Sequence, residues 1–161
     1  MRIFFDSEFI DDGKTIDLIS IGVVREDNQE YYAISSEFDE SKASQWVKDN
    51  VLAKLEPQII RRSRKEIAVD ILNFVGPHPE FWGFFADYDW VVLCQLYGTM
   101  MQLPRDWPMF CMDIKQVSVM MGDIRFPKLD DSVAHNALAD ARWTRDFFWH
   151  MWAALAKKQY D

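Results

Sequence analysis

Three short motifs in the chain combine acidic side chains at spacings that suit metal binding. Asp6 and Glu8 follow the apolar residues 3–5 at a separation of two. On an extended strand this separation places both carboxylates on one face, ~6–7 Å apart at Cα. Two carboxylates so placed repel each other unless a cation lies between them. An isolated Asp-x-Glu pair is also typical of a solvated strand end, so this motif alone is a weak indication.

The second motif contains Asp87 and Asp89, between an apolar segment at residues 80–86 and a helical pattern at residues 89–97. Acidic side chains at a helix start are stabilised by the free N–H groups and the helix dipole, by ~0.5–2 kcal/mol. Capping alone therefore explains one of the two. Strand ends at the carboxyl edge of a sheet are nonetheless where sites assemble in α/β proteins.

The third motif pairs His135 with Asp140. Five residues on a regular helix are ~140° apart, so the two side chains cannot share one helical face. They converge only if His135 lies at the helix entry and folds across its N-terminus. Asp140 lies within the sequence Ala-Leu-Ala-Asp-Ala at residues 137–141, and such small residues would let the helix approach a sheet closely.

The elements that position these motifs follow from the apolar periodicity. Residues 3–5, 15–24 and 30–35 predict three strands separated by turn signals, which form an antiparallel meander. A further strand is predicted over 80–86, and helices over 41–52, 63–75, 89–97, 113–121 and from about 135 onward. This order predicts an α/β fold with a central mixed sheet flanked by helices, as a single domain over residues 1–161.

Some side chains of these helices have definite predicted environments. In the first helix we expect Trp46 and Val47 to face inward. Ser63 and Glu66 match a capping box at the start of the second helix. Its predicted buried stripe, and the residues of the last helix that we expect in the core, are Ile67, Ile71, Leu72 and Val75, and Leu138, Ala141, Phe148 and Trp152.

Composition excludes several classes of protein. A chain of 161 residues with 49% apolar and 15% aromatic side chains can form a core, so it is neither disordered nor of low complexity. The net charge of −8 excludes a global positive field that would attract nucleic acid. Carboxylates that surround cations also add to this negative charge, so it does not exclude a nucleic-acid enzyme. Two cysteines without a CxxC motif, an acidic N-terminus and no apolar stretch of ~20 residues predict a cytoplasmic protein without membrane contact.

Taken in order, the three motifs resemble those of the DEDDh branch of the DEDD 3′-to-5′ exonucleases, which have a ribonuclease H-like fold. The matching segments are residues 6–9 (DSEF), 86–89 (ADYD) and 135–140 (HNALAD). The second motif of that family ends in an aromatic residue and Asp. The resemblance therefore assigns Asp89 as the metal ligand, with Asp87 as the alternative ligand.

Two single residues refine the resemblance. Asn136 occupies the position where the tyrosine branch has Tyr, which favours the histidine branch. Phe9 replaces the Thr of many DEDDh members, which affects the nucleotide contacts and leaves the metal site unaffected. Most of residues 1–100 and the C-terminal motif also resemble the ribonuclease AS group of polyadenylate-specific exoribonucleases, whereas residues 110–132 show little agreement.

The resemblance implies a 3′-to-5′ exoribonuclease that releases nucleoside monophosphates from the 3′ end of single-stranded RNA and prefers adenylate-rich RNA. Asp6, Glu8, Asp89 and Asp140 would hold two Mg²⁺ ions, with Mn²⁺ as a substitute, because these cations prefer hard oxygen donors. Two such ions clamp the attacking and leaving oxygens of a phosphodiester. His135 would accept the proton of the attacking water near neutral pH.

Substrate contacts are expected at Ser7, Glu8, Phe9 and His135. Phe9, Trp82 and Trp90 could stack on a terminal base, with core packing as the alternative, above all for Trp82. A basic group near a helix start could contact RNA phosphates, or could simply be a solvated face: Arg61, Arg62, Arg64 and Lys65.

The resemblance also implies a homodimer. Its predicted interface is on the terminal helix, unless these aromatic residues belong to a larger core: Phe147, Trp149, Trp152 and Tyr160. Two other functions stay open, a 3′-to-5′ DNA exonuclease of the proofreading type and a nucleic-acid-binding module that has lost catalysis. The binding module predicts a gap among the four acids or the histidine, and the sequence has none.

Overall fold

A single mixed sheet of five strands organises the protein, whose structure, a computed structural model, is described for residues 1–158. The strands lie in the order β3-β2-β1-β4-β5. Strands β1, β2 and β3 are antiparallel neighbours, whereas β4 is parallel to β1 and β5 is parallel to β4. Their bounds are β1 Arg2–Asp11, β2 Ile16–Arg25, β3 Glu30–Ile34, β4 Glu80–Gly83 and β5 Met112–Asp113. The predicted meander and mixed sheet are confirmed.

Within residues 1–158, five α-helices surround this sheet: α1 Gln45–Asn50, α2 Arg64–Val75, α3 Asp87–Leu96, α4 Ile114–Met120 and α5 Ala137–Lys158. Short 3₁₀ helices cover Glu40–Lys42, Leu52–Lys54 and Met100–Gln102. The predicted capping box is present, with Ser63 and Glu66 each bonding the other's backbone N–H. None of the helices within residues 1–158 is both long and apolar enough to cross a lipid bilayer.

The two faces of the sheet are covered by different helices. Because side chains alternate along a strand, Phe5 of β1 packs with α2 and α3 on one face. Its neighbour Phe4 packs with Phe148 and Ala141 of α5 on the other face. Asp6 follows Phe5 by one residue and therefore lies on the α5 face.

Gly22 allows the start of α5 to lie directly against the sheet. This residue pairs with Asp6 in the β1–β2 register. A Cβ atom at Gly22 would lie 2.3 Å from the carbonyl oxygen of Ala137 and 2.4 Å from Cα of Leu138. No side chain fits in that space, so glycine at this position permits the approach that brings the first turn of α5 next to Asp6.

Several predicted details differ from the structure. Strand β4 ends at Gly83 instead of residue 86, because Phe85 takes a positive φ of 54° and turns the chain into α3. The two-residue strand β5 was not predicted. Trp46 is 54% exposed and Leu72 is 41% exposed, so neither belongs to the core, whereas Val47 is partly buried against it.

The terminal helix matches its prediction more closely. Ala141 and Phe148 are buried, and Leu138 and Trp152 pack against them while partly exposed. Phe147 is buried in the core as well, which makes it unsuitable as an interface residue. The last member of the predicted interface, Tyr160, lies outside the described residues.

Candidate active site

Three carboxylates meet where the first turn of α5 approaches β1. Asp6 and Glu8 lie on β1, and Asp140 lies on α5. Each offers one carboxylate oxygen, and these oxygens lie within 4.8 Å of one another. In the part of the chain that the structure describes, this is the one group of three or more such side chains close enough to share a metal ion.

Burial and mutual repulsion disfavour the ionised form of these acids. Burial, followed by repulsion from Asp89, Glu8 and Asp140, raises the pKa of Asp6 well above its ordinary value. Burial and the charges of Asp140 and Asp89 raise the pKa of Glu8 to about 8. Burial also raises the pKa of Asp140, against the opposing charge of His135. A cation at this point would relieve the repulsion, and the hard oxygen donors suit Mg²⁺ or Mn²⁺.

Asp89 faces the cluster from α3 but lies outside the group of three. It is 7% exposed, and its Oδ1 accepts hydrogen bonds from the backbone N–H of Ser7 at 2.8 Å and from the Ser7 hydroxyl at 2.6 Å. Burial raises the pKa of Asp89 to about 6, although the hydrogen bonds from Ser7 oppose the shift. Asp87, the alternative, is exposed. The structure therefore turns Asp89, and not Asp87, toward the other acids.

His135 lies just before α5, as convergence with Asp140 requires. It has a positive φ of 63°, a conformation in which His is enriched among non-glycine residues. Asn136 then caps the helix, since its Oδ1 accepts from the backbone N–H of Ala139 at 3.1 Å. The backbone N–H of Asn136 donates to Oδ2 of Asp140, also at 3.1 Å. His135 lines the same cavity as Asp6 and Asp140.

Two residues that the sequence did not assign to the site support His135: Lys54 holds the segment before it, and Trp46 contacts its ring. Nζ of Lys54 donates to the carbonyl oxygens of Asp131 and Ala134, at 2.7 Å each. The indole of Trp46 meets the imidazole of His135 edge to face, with centroids 4.8 Å apart. These contacts join parts of the chain about eighty residues apart, so no local pattern could have predicted them.

Most of the side chains that were predicted to contact bases or phosphates instead contact other side chains of the protein. Trp82 and Trp90 pack in the two cores of the sheet, which is the alternative to base stacking that the sequence already favoured for Trp82. Phe9 is partly buried against the exposed ring of Tyr88, with centroids 5.8 Å apart.

The predicted basic group likewise lies apart from the cavity that holds the acids. Its three arginines, Arg61, Arg62 and Arg64, form ion pairs with Glu40, Asp70 and Asp17, respectively. Lys65 is exposed. We therefore find no support for this group as a phosphate site.

A cavity of about 780 Å³ opens onto the acids. Asp6, His135 and Asp140 line it on one side. Other parts of its lining come from the turn after β4, the start of α4 and the chain that follows α4. Its volume falls within the range of about 300–1,000 Å³ typical of ligand sites.

Comparisons with known proteins agree on the type of protein. The family described as 3′-5′ exoribonuclease Rv2179c-like domain matches residues 1–152. The chain is 46% identical over 148 residues to the 3′-5′ exoribonuclease Rv2179c of Mycobacterium tuberculosis H37Rv, with 88% of each chain covered. The 3′-5′ exoribonuclease MT2234.1 of M. tuberculosis CDC 1551 matches to the same extent.

Solved structures of exonuclease I have a similar fold. One of them matches with a TM-score of 0.64, and the zinc-bound complex of Escherichia coli exonuclease I with single-stranded DNA matches with a TM-score of 0.67. Both are 15% identical to the chain and match 90% of it. The chain spans about two-fifths of the length of these proteins (39%). At this identity the likeness shows the fold, which is the exonuclease type of ribonuclease H-like fold.

Proposed function

The chain belongs to the 3′-5′ exoribonuclease Rv2179c-like domain family, and we propose that its residues 1–161 form one catalytic domain that hydrolyses single-stranded RNA from the 3′ end and releases nucleoside monophosphates. The proposal rests above all on one observation. Asp6, Glu8 and Asp140 place three carboxylate oxygens within 4.8 Å of one another, and Asp6 and Asp140 line a cavity that His135 also lines.

Asp6, Glu8, Asp89 and Asp140 would hold two divalent cations, Mg²⁺ with Mn²⁺ as a substitute. The donor set supports this assignment, because all four are hard oxygen ligands whose ionised forms are disfavoured in the absence of a nearby positive charge. When bound, such ions generate a hydroxide nucleophile and stabilise the leaving oxygen of the phosphodiester.

His135 is the proposed proton acceptor for the attacking water. Its side chain is exposed and lines the cavity together with Asp6 and Asp140. Lys54 and Trp46 would keep the imidazole in place, since one holds the preceding backbone and the other contacts the ring. A general base is effective only when it lies within hydrogen-bonding reach of the proton that it takes, so this support is part of the proposed mechanism.

The contacts to the terminal nucleotide are proposed at Ser7, Glu8, Phe9 and His135. Phe9 and the exposed Tyr88 form an aromatic pair beside Asp89 that could stack on a base. Ser7 donates its N–H and its hydroxyl hydrogen to Asp89, so besides its proposed contact to the nucleotide it would orient that carboxylate.

Four finer statements complete the proposal. Within its family the protein would be of the ribonuclease AS type and prefer adenylate-rich RNA. It would act as a homodimer, with the exposed Trp149 and the partly exposed Trp152 of α5 at the interface. It would work in the cytoplasm, where the free thiols of Cys94 and Cys111 stay reduced.

The test is a product ladder from 5′-labelled homopolymers. We expect adenylate RNA to be shortened one nucleotide at a time with Mg²⁺ or Mn²⁺, faster than uridylate RNA, and to stay intact with chelator. DNA of the same sequence should be cut more slowly. Faster cutting of DNA would favour the DNA exonuclease, and intact oligomers that still bind the protein would favour the binding module.

A further inference from the structure

The cavity beside the acids is larger than the reacting phosphodiester needs. Its lining continues from Asp140 to Phe85, Lys115, Arg125 and Lys128, which lie in the turn after β4, in α4 and in the chain that follows α4. Neither Phe9 nor Tyr88 belongs to this lining. The proposed position of the terminal base and the large cavity are therefore separate parts of the surface.

Phe85 presents an aromatic ring at this cavity although its backbone conformation is strained. Its φ of 54° is rare for a bulky residue, and its side chain is 64% exposed. The turn is held by Asp113, which accepts a hydrogen bond from the backbone N–H of Ala86 at 2.8 Å. Backbone strain of this kind is concentrated at ligand-binding sites.

Below Phe85 lies a second aromatic ring that limits its freedom. The centroids of Phe84 and Phe85 are 4.5 Å apart, and Phe84 in turn meets Trp143 of α5 at 4.8 Å. The ring of Phe85 is thus supported from one side and open on the other. An open, rigid aromatic face is the kind of surface on which nucleic-acid bases stack, whatever their sequence.

Three basic side chains line the same cavity, beside the acids Asp123 and Asp131 and the site acids Asp6 and Asp140. Lys115, Arg125 and Lys128 line it, and we name them the basic wall. Lys115 forms an ion pair with Asp123 at 2.7 Å. Within residues 1–158, neither Arg125 nor Lys128 forms an ion pair. Both are exposed and available to an anionic ligand.

We propose that the RNA strand on the 5′ side of the scissile phosphate lies in this cavity, with a base stacked on Phe85 and phosphates beside the basic wall. The inference rests on the proposed function and adds the path of the substrate. Basic side chains for the phosphates combined with an aromatic platform for the bases are how proteins bind single strands without reading their sequence. The cavity starts at the acids, so a strand in it would lead its 3′ end to them.

The test compares a dinucleotide, too short to reach Phe85 and the basic wall together, with a longer oligoadenylate. For the wild type we expect a KM about tenfold lower for the oligomer, since one stacked base and two phosphate contacts are added. Phe85→Ala and the double variant Arg125→Gln/Lys128→Gln should each raise the KM of the oligomer toward that of the dinucleotide. Their kcat on the dinucleotide should stay within about twofold of the wild type.

Matched controls separate these contacts from general effects. Phe85→Tyr keeps the aromatic face and should keep the low KM of the oligomer. The double variant Arg61→Gln/Lys65→Gln removes two charges outside the cavity and should change neither substrate's KM. In the Arg125/Lys128 variant, the slope of log KM against log salt should fall by about 1.4, since each lost phosphate contact on a single strand contributes ~0.7.

Three results would overturn the inference. The first is that the variants keep the wild-type difference in KM between the two substrates. The second is that the wild type has the same KM for both. The third is that the variants lose kcat on the dinucleotide by as much as on the oligomer. If the wild type hydrolyses neither substrate, the proposed function itself is wrong and the strand path with it. Thermal melting of each variant checks that it is folded.

Discussion

The two faces of the sheet show how one strand can serve both stability and chemistry. On the α2/α3 face, β1 contributes Phe5, which is buried among apolar side chains. On the α5 face the same strand contributes Phe4 and then Asp6 and Glu8, which face another acid across a close helix contact. Hydrophobic burial favours folding on both faces. On the α5 face, and at Asp89 of α3, part of this burial holds carboxyl groups where their charged forms are disfavoured, which favours the binding of cations.

The largest expected effect comes from the acid that α5 adds to β1. Asp140→Asn should lower the rate of RNA hydrolysis by at least about 10³-fold, because one of the proposed cation ligands is lost. The melting temperature in chelator should not fall, because the variant removes a buried repulsion. Steady-state kinetics and thermal melting measure the two effects.

The control for this variant is Asp146→Asn on the exposed side of the same helix, where Asp146 pairs with Arg145. It should behave as the wild type in both measurements. Wild-type turnover by Asp140→Asn would remove this residue from the site.

The next prediction compares one substitution on each face of the sheet. Gly22→Ala places a methyl group against the backbone of α5, so it should destabilise the fold by about 1–3 kcal/mol and separate Asp140 from Asp6, with a loss of activity. Its neighbour Ile21 faces the α2/α3 core, and Ile21→Val should cost about 0.5–1.5 kcal/mol without loss of activity. Denaturant unfolding and RNA hydrolysis measure both. Equal activity of Gly22→Ala and Ile21→Val would contradict the expected difference between the two faces of the sheet.

Lys54→Met should have a smaller effect, limited to the α5 face. It removes both hydrogen bonds to the segment before His135, so we expect kcat to fall by about tenfold while KM changes less than twofold. Lys54→Arg retains a donor and should recover part of the rate. Lys48→Met on the exposed face of α1 is the control. A change in KM alone would show that Lys54 contacts the substrate instead.

The smallest effect is a pH dependence of stability. The folded-state pKa of Glu8 is about 8 against 4.5 ordinarily, and that of Asp89 is about 6 against 3.8. At a pH between the ordinary and the folded-state pKa of each group, the folded protein binds more protons than the unfolded chain. Its stability should therefore decrease as the pH rises from about 5 to 8.

Melting curves in chelator should show this decrease as a fall of at least about 4 °C, and Mg²⁺ should reduce it. The Asp140→Asn variant should show a weaker dependence, because it lacks one of the repelling charges. A melting temperature that rises over this range in chelator would contradict the assigned repulsion.

Local patterns were sufficient to predict much of the site. The alternation of β1 placed Asp6 and Glu8 on one face, and the angle between residues five apart on a helix required His135 to lie before α5. The same reasoning could not choose between Asp87 and Asp89, since both suit a helix start. Only the packing of α3 turns Asp89 to Ser7.

What the sequence did not indicate depends on contacts between distant segments. Lys54 reaches backbone carbonyls 77 and 80 residues further along the chain. The need for glycine at position 22 arises from a helix that begins more than a hundred residues later. Trp90 was predicted to contact a base or the core from its neighbours alone, and its burial against Phe5 and Phe81 decided the question.

The proposed cation site is tested best by the product ladder of Asp6→Asn beside that of the wild type, on 5′-labelled single-stranded RNA with Mg²⁺ and with chelator. We expect stepwise shortening by the wild type in Mg²⁺ alone and intact RNA with the variant, which should melt at or above the wild-type temperature. A ladder from the folded variant in Mg²⁺, or from the wild type in chelator, would contradict the claim that these acids bind the cations that hydrolyse RNA.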